Sequence, residues 1–396
     1  FRTEEDVQKY LERAKLDADD LMPLAQSLYF SEDSSDDLVL MEVDKDMLKS
    51  LKDGEKLVFR GQVDDAVVAC TSERTFEVRE ADISNSLLLV PNLSLPTDIR
   101  SNNNRTRQMC SHQVSRTFHN YLELRPCCPR LRKLVHLLRE CPYRGAEHEE
   151  DDERSSKAEF EPTFQYTFGD ILDKVQASEA ELRQVIEELP VLEIDGFYRL
   201  LELEYHFRVQ NFIVNYVEAE SLPMGRIPAG EVVDKVSDLE PREIVAEVFR
   251  RCTTPNEGDE FYSLNFDVIC RTTAETILRT VGKFNLSEFL EVWQNSVPEG
   301  LRTDMRQLEG LALTDTNSIP ESIYLFDKWD LPEDATERFD HIFRAKERWT
   351  LEEIRPYIGD LCVAGQKSDV NALLMKHARA AMRNGVRTYT AKRPVR

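Results

Sequence analysis

Residues 376–396, KHARAAMRNGVRTYTAKRPVR, hold seven lysines and arginines and no acid, in a chain whose formal charge is −23. Six of these cations, Lys376, Arg379, Arg383, Arg387, Lys392 and Arg393, are the candidate DNA-binding residues. Ammonium and guanidinium groups neutralise backbone phosphates and release their counterions, a chemistry that senses charge and not sequence. Reading base edges calls for amides or paired arginines in a groove, and Asn384 is the only amide within the segment, with Gln366 among the few upstream of it. Two readings of the segment stand at this point: a phosphate-backbone site, or a solvated basic end that docks on the acidic first half.

Other chemistry is sparse. No G-x-x-x-x-G-K-[ST] loop is present to cradle nucleotide phosphates, and neither H-E-x-x-H nor G-x-S-x-G occurs. The chain is therefore expected to be no enzyme and to need no cofactor. Of its seven histidines, His206 and His341 fall inside periodic segments, as surface or satisfied core residues. The pairs Glu187-Glu188 and Glu352-Glu353 fall on expected exposed helix faces, where solvation is the default. The eight cysteines, Cys70, Cys110, Cys127, Cys128, Cys141, Cys252, Cys270 and Cys362, include no C-x-x-C pair. That pattern reads as free thiols in a reducing compartment. Cys110, His112, Cys127, Cys128, His136 and Cys141 have the chemistry to take zinc, but their irregular spacing argues against it, and no metal is expected.

The basic residues need a scaffold. Val370, Leu373, Leu374 and His377 share one helical stripe, and VRTYTAKR (386–393) reads as a strand, with Asn384-Gly385 turning the chain between them. Lys376, Arg379 and Arg383 then lie on or beyond the helix's polar side and Arg387, Lys392 and Arg393 on the strand, so one face gathers all six. Further upstream a pattern recurs: Thr167, Asn285 and Thr350 each precede an acid by three residues, which is the capping-box arrangement at a helix start. A second helix and β-like segments follow each. VLEIDGFYRLLEL (191–203) places Asp-Gly between two strands, a strong hairpin signal. Helix, helix and hairpin outline a winged helix, so three are expected, at 160–222, 223–330 and 331–396.

The first half has a different texture. Residues 4–28 read as a helix, with Val7, Leu11, Ala14 and Leu21 apolar among charges. After SEDSSDD (31–37) come five β-like runs, at 38–43, 56–61, 66–71, 74–80 and 86–91, spaced as in an antiparallel sheet or barrel. Such short strands leave edges; a partner strand or a self-contained barrel would equally satisfy them. Leu131, Leu134, Val135 and Leu138 form a helical stripe with Arg132, Lys133, His136 and Arg139 beside it, either a solvated basic face or a contact for a partner or DNA. The acidic run within 146–159 is expected as a linker closing a first domain at 1–145.

At 396 residues, 41% apolar and 9% aromatic, the chain is expected to hold two to four packed domains. No apolar run approaches the ~20 residues that span a bilayer, so no membrane partner is expected. The opening FRTEEDVQKY has no apolar stretch, so no secretory signal is expected. The acidic balance argues against a general nucleic-acid coat and leaves room for a local basic patch.

In order, QASEAEL (176–182), IDGFYRLLELEY (194–205), KFNLSEFLEVWQNSVPEG (283–300), LEGLALTD (308–315), LPEDATERFDHIFRAKERWTLEEIRPYIGDLC (331–362) and NGVRTYTAKRP (384–394) carry a resemblance. They resemble the defective-in-sister-chromatid-cohesion (DCC) family, a subunit of the alternative, cohesion-linked clamp loader of replication factor C type. AVVACTSERTFEVREADISNSLLLVP (66–91) and residues 121–145 extend it over nearly the whole chain. The resemblance implies an α+β protein: an N-terminal β-rich, barrel-like domain completed by partner chains, then three C-terminal winged-helix domains. It implies a nuclear, non-catalytic subunit, partnered by a small cohesion subunit and by the tail of the large ATPase subunit. It further implies binding to the catalytic part of DNA polymerase epsilon and to single- and double-stranded DNA, in sliding-clamp loading and unloading and in cohesion. The competing expectation is a stand-alone winged-helix DNA-binding regulator of transcription, against which the acidic charge counts.

Overall fold

The computed structural model describes residues 3–16, 24–30, 37–95, 108–149, 165–316, 318–362, 369–383 and 385–392. The protein is of mixed α+β type. It divides into two compact units, one of Phe1–Asp53 with Val78–Arg125 and one of Gly54–Glu77 with Pro126–Arg396.

In the first unit the helix Glu4–Ala14 starts at a capping box between Thr3 and Asp6. It stops where Lys15 turns left-handed (φ 55°), so the helix expected through residue 28 is shorter. Leu24–Phe30 is instead a strand, paired in parallel with Gln108–Val114. The runs expected at 74–80 and 86–91 belong to one strand, Thr75–Leu89, because neither Gly nor Pro interrupts them. Arg116–Pro126 lies between that strand and Met41–Glu42 in the sheet. Cover is thin here. Leu87, Leu88 and Leu89 are all exposed, although successive residues of a strand point to opposite faces.

In the second unit one order recurs: helix, short extended segment, helix, helix, hairpin. Among the described residues it occurs four times. The first begins with helix Arg132–Glu140, bridges Tyr166 to Tyr198, and runs through helices Phe168–Lys174 and Glu179–Glu188 to the hairpin Val191–Ile194, Phe197–Leu200. Asp195 (φ 53°) and Gly196 (φ 87°) form its turn, as the Asp-Gly signal predicts. The second runs from helix Leu203–Ala219 to strand Phe261–Leu264, the third from helix Phe266–Val281 to strand Ser322–Leu325, and the fourth from helix Ala335–Ala345 to strand Val386–Ala391. In the last three the final strand sits in the centre of a three-stranded sheet.

The sequence pattern predicts three such units because it relies on polar helix caps. Thr167 and Thr350 do form reciprocal capping boxes, and the Asn285 side chain accepts from two backbone amides. The helices Ala229–Val236 and Arg242–Cys252 of the second repeat start after Pro228 and Pro241, with no side-chain cap, so nothing marked them.

Each repeat buries its apolar stripe. Trp293 and Phe289, both fully buried and stacked at 5.5 Å, anchor a core shared by the second and third repeats. Burying side chains of this size contributes about 2–3 kcal/mol each. Trp349, Tyr357 and Phe339 fill the fourth. The acidic stretch from 146 begins bound, not free: Glu149 receives a double hydrogen bond from the buried guanidinium of Arg199, at 2.8 and 3.1 Å. The remainder, 150–159, lies outside the described residues.

Candidate functional site

The fourth repeat holds the basic residues. Its last helix, Val370–His377, is capped by Asp369, whose carboxylate accepts from the Ala372 amide at 2.9 Å. Leu374 is buried, and His377 stacks on Phe339 with ring centroids 4.9 Å apart, so the stripe faces the core as expected. Burial holds the His377 imidazole below its ordinary pKa, with Lys376 beside it acting the same way.

The helix ends at His377, earlier than the sequence reading placed it. Ala378–Arg383 is a strand, paired antiparallel with Val386–Ala391 from Ala378↔Ala391 to Arg383↔Val386. The turn near Gly385 (φ 79°) therefore joins two strands, not a helix to a strand. Ala378 and Ala380 leave the helix for the sheet because Tyr389, opposite Ala380, is buried and pulls that edge onto the core.

Lys376 is exposed in the helix's last turn. Arg379 is exposed on the first strand of the hairpin, opposite Thr390, and Arg387 is exposed on the second, 5.5 Å over the Tyr389 ring. None of these three has an ion-pair partner among the described residues. Lys392 is engaged otherwise: its Nζ donates to the carbonyl oxygens of Met375 and Lys376, both at 3.2 Å, which neutralises the open end of the helix. The Arg383 backbone closes the hairpin opposite Val386, while its side chain, Asn384 and Arg393 lie outside the described residues.

The equivalent surfaces of the other repeats do not suit phosphate. The last helix of the first repeat, Glu179–Glu188, carries four glutamates against one arginine. In the second repeat Arg250 and Arg251 both bind Glu247, and Arg251 also donates to the carbonyls of Glu187, Glu188 and Leu189. The third has only the short turn Met305–Leu308 there. Every hairpin but the last contains acids: Glu193 and Asp195, then Asp259 and Glu260, then Asp315 and Glu321.

A cavity of about 950 Å³ opens among the first three repeats. Its arginines are structural. Arg139 pairs with Asp327 and Asp330 at 3.2 and 2.9 Å, and Arg271 donates to the carbonyls of Gln307 and Glu309 at 2.8 Å. His206, on its wall, is buried with Nε2 unpartnered; burial chiefly, with Arg251 nearby, pushes its pKa down to about 4. Burial pushes the thiols of Cys127 and Cys270 up to about 11 and those of Cys128 and Cys252 to about 12, out of nucleophilic range at neutral pH. Among the described residues no three His, Cys, Asp or Glu side chains group as metal ligands, and no helix is long and apolar enough to cross a membrane.

Comparison with known proteins follows the same outline. Residues 38–358 match the family described as sister chromatid cohesion protein Dcc1. The chain belongs to the Dcc1 family. Sister chromatid cohesion protein DCC1 of Danio rerio is 39% identical over the full length of both chains. That of Homo sapiens is 38% identical, over 100% of this chain and 99% of its own. A probable DCC1 of Dictyostelium discoideum keeps 25% identity over 83% of this chain and 88% of its own. The family assignment thus rests on the whole length, with both the strand-rich unit and the helix–hairpin repeats inside it. The family is named for cohesion, not for a catalysed reaction.

Proposed function

We propose that this chain is a non-catalytic subunit of an alternative, cohesion-linked clamp loader of replication factor C type, bridging the loader to the leading-strand polymerase and to DNA in the nucleus. In this reading the loader's small cohesion subunit and the tail of its large ATPase subunit supply strands to the first unit. The exposed run Leu87–Leu89 supports that, since apolar side chains uncovered on both faces of a strand call for partner surface. The repeats of the second unit are winged helices. The domains expected at 1–145, 160–222, 223–330 and 331–396 about a linker at 146–159 are redrawn in two places: the first repeat starts at Arg132, and the second, 203–264, crosses the boundary at 222. The catalytic part of DNA polymerase epsilon docks on the repeats, and single- or double-stranded DNA meets the fourth.

One observation carries the reading: a single chain joins an uncovered apolar strand in one unit to an acid-free cationic hairpin in the other. That is the profile of a bridge and not of a catalyst. Affinity purification from nuclear extract, with mass spectrometry of what co-purifies, tests it. Clamp-loader subunits and polymerase epsilon in stoichiometric amounts are the expected result. Recovery of transcription machinery in their place would support a stand-alone regulator and overturn the bridge.

A further inference from the structure

The first repeat keeps a core of its own. Leu134, Leu138, Ile171 and Leu182 are buried in it, and among the described residues Trp329 is the one side chain from beyond the repeat that packs on it. The chain passes to the second repeat at 200–203, where Tyr143 bridges to Leu201 and the Tyr143 amide donates to the Leu200 carbonyl at 2.7 Å. The Leu201 amide donates to the Pro190 carbonyl at 2.8 Å, so the bonds from Arg251 to the carbonyls of Glu187, Glu188 and Leu189 fall at the same crossing. Beyond it lies the cavity, lined by Val135 and Leu189 of the first repeat and by Val268, Thr272 and Thr276 of the third. Part of the first repeat's inner face is thus a gap in place of packed side chains.

Asp327, Lys328 and Trp329, in the connector between the third and fourth repeats, line the same cavity. Helix Arg132–Glu140 starts at Leu131 with no side-chain cap of its own. Its first amide, that of Arg132, donates instead to the Glu333 carboxylate at 2.8 Å, so a residue 201 positions on supplies the cap. Near the other end of the helix Arg139 holds Asp327 and Asp330, and Trp329, between those two in sequence, supplies the apolar contact. The connector is continuous with the fourth repeat: Leu331 packs in that repeat's core, and buried Arg338 donates to the Pro332 carbonyl. Tandem repeats ordinarily touch only their neighbours, so this contact turns the row back on itself. It is also built to yield. The Arg139 and Asp330 side chains are 37% and 65% exposed, and pairs of that kind are weak and screened by salt. We propose that the connector is a latch and the first repeat a hinged arm, which swings about 200–203 when the latch releases. A partner that holds one end of the row in its open or closed form then biases the other end.

Trp293 and Trp349 are fully buried, so of the three tryptophans it is Trp329 whose emission follows the latch. The test compares the full chain at about 0.05 M and about 0.5 M salt by hydrogen exchange, tryptophan emission and small-angle scattering. High salt is expected to speed exchange by about tenfold at 327–333 and in the first turn of helix Arg132–Glu140, with helix Leu286–Ser296 unchanged. Emission should move to the red and the radius of gyration should grow. The double variant Arg139→Ala, Glu333→Gln is expected to show the same changes already at low salt, and Arg139→Lys, which keeps the charge, to retain most of the protection. If exchange rises at 327–333 while the radius of gyration stays constant, the connector frays locally and the hinge is overturned. If neither salt nor the double variant alters exchange there, or if helix Leu286–Ser296 loses protection in step, the repeats form one packed body and the latch falls.

Discussion

His206 offers a measurement that isolates one buried group. It lies on helix Leu203–Ala219 with its Nε2 unpartnered, and Gln210 one turn on buries both its amide atoms without a partner. Across from it Arg251 disfavours the imidazolium, while Glu247 favours it more weakly. Burial dominates, and the pKa falls from 6.5 to about 4. The sign follows from which state takes the proton first. Above pH 6.5 both folded and unfolded imidazoles are neutral, and the group has no effect on stability. As pH falls below 6.5 the unfolded chain binds a proton that the folded one refuses, so stability drops until about pH 4. At about 1.4 kcal/mol for each tenfold change in proton affinity, the loss totals about 3 kcal/mol, with about 2 kcal/mol of it by pH 5.

His206→Leu removes both the titration and the orphaned nitrogen. Carboxylates elsewhere titrate alike in the two proteins and cancel in the difference. Thermal melting from pH 7.5 to 5 should show the parent losing roughly 4 °C more than the variant, at roughly 2 °C per kcal/mol for a unit of this size. Parallel profiles would refute the reasoning, because they would mean His206 is hydrated or partnered when folded.

The guanidinium of Arg338, 4% exposed, holds both oxygens of Asp360 at 2.7 Å and donates to the Pro332 and Tyr357 carbonyls. Arg338→Met should destabilise the fourth repeat by about 3 kcal/mol in urea titration, a change under 1 kcal/mol counting against it. Lys392→Gln should leave the salt slope of DNA binding unaltered while lowering the melting temperature, and Arg387→Gln should do the reverse, since only the first binds the helix end. Leu87→Ser with Leu89→Ser should reduce self-association in light scattering without a lower melting temperature; a loss of several degrees would show these leucines to be packed.

Local chemistry was legible wherever a side chain announces it. The capping boxes at Thr167 and Thr350 and the Asp195-Gly196 turn are contacts between near neighbours, so types and spacing suffice. The stripe ending at His377 was legible for the same reason. The register that puts Arg379 and Arg387 on opposite faces was not, because it depends on where the helix stops. That is set by the pairing of Ala380 with the buried Tyr389, a long-range register that helical periodicity does not report. The second repeat stayed hidden because Pro228 and Pro241 open its helices without a polar cap. The strand Leu24–Phe30 was missed because its partner lies some 80 residues on, at Gln108–Val114.

The sign of the charge along the chain has its own logic under the proposed DNA role. Setting aside the seven cations of 376–396 leaves the remainder at −30 (−23 minus 7), so at long range the molecule repels a polyanion. Physiological salt screens that repulsion beyond about 8 Å, and contact is then decided by the nearest side chains. In the first repeat the equivalent helix is acidic, in the second its arginines are bound to Glu247 and to backbone carbonyls, and in the third the helix is reduced to a turn. Only in the fourth, among the described residues, do unpaired cations meet no acid on the same helix end and hairpin. An acidic body with one such exit admits DNA at one place and orientation and discourages it elsewhere. A uniformly basic chain with the same hairpin would bind more tightly but in many registers, which suits a coat and not a bridge.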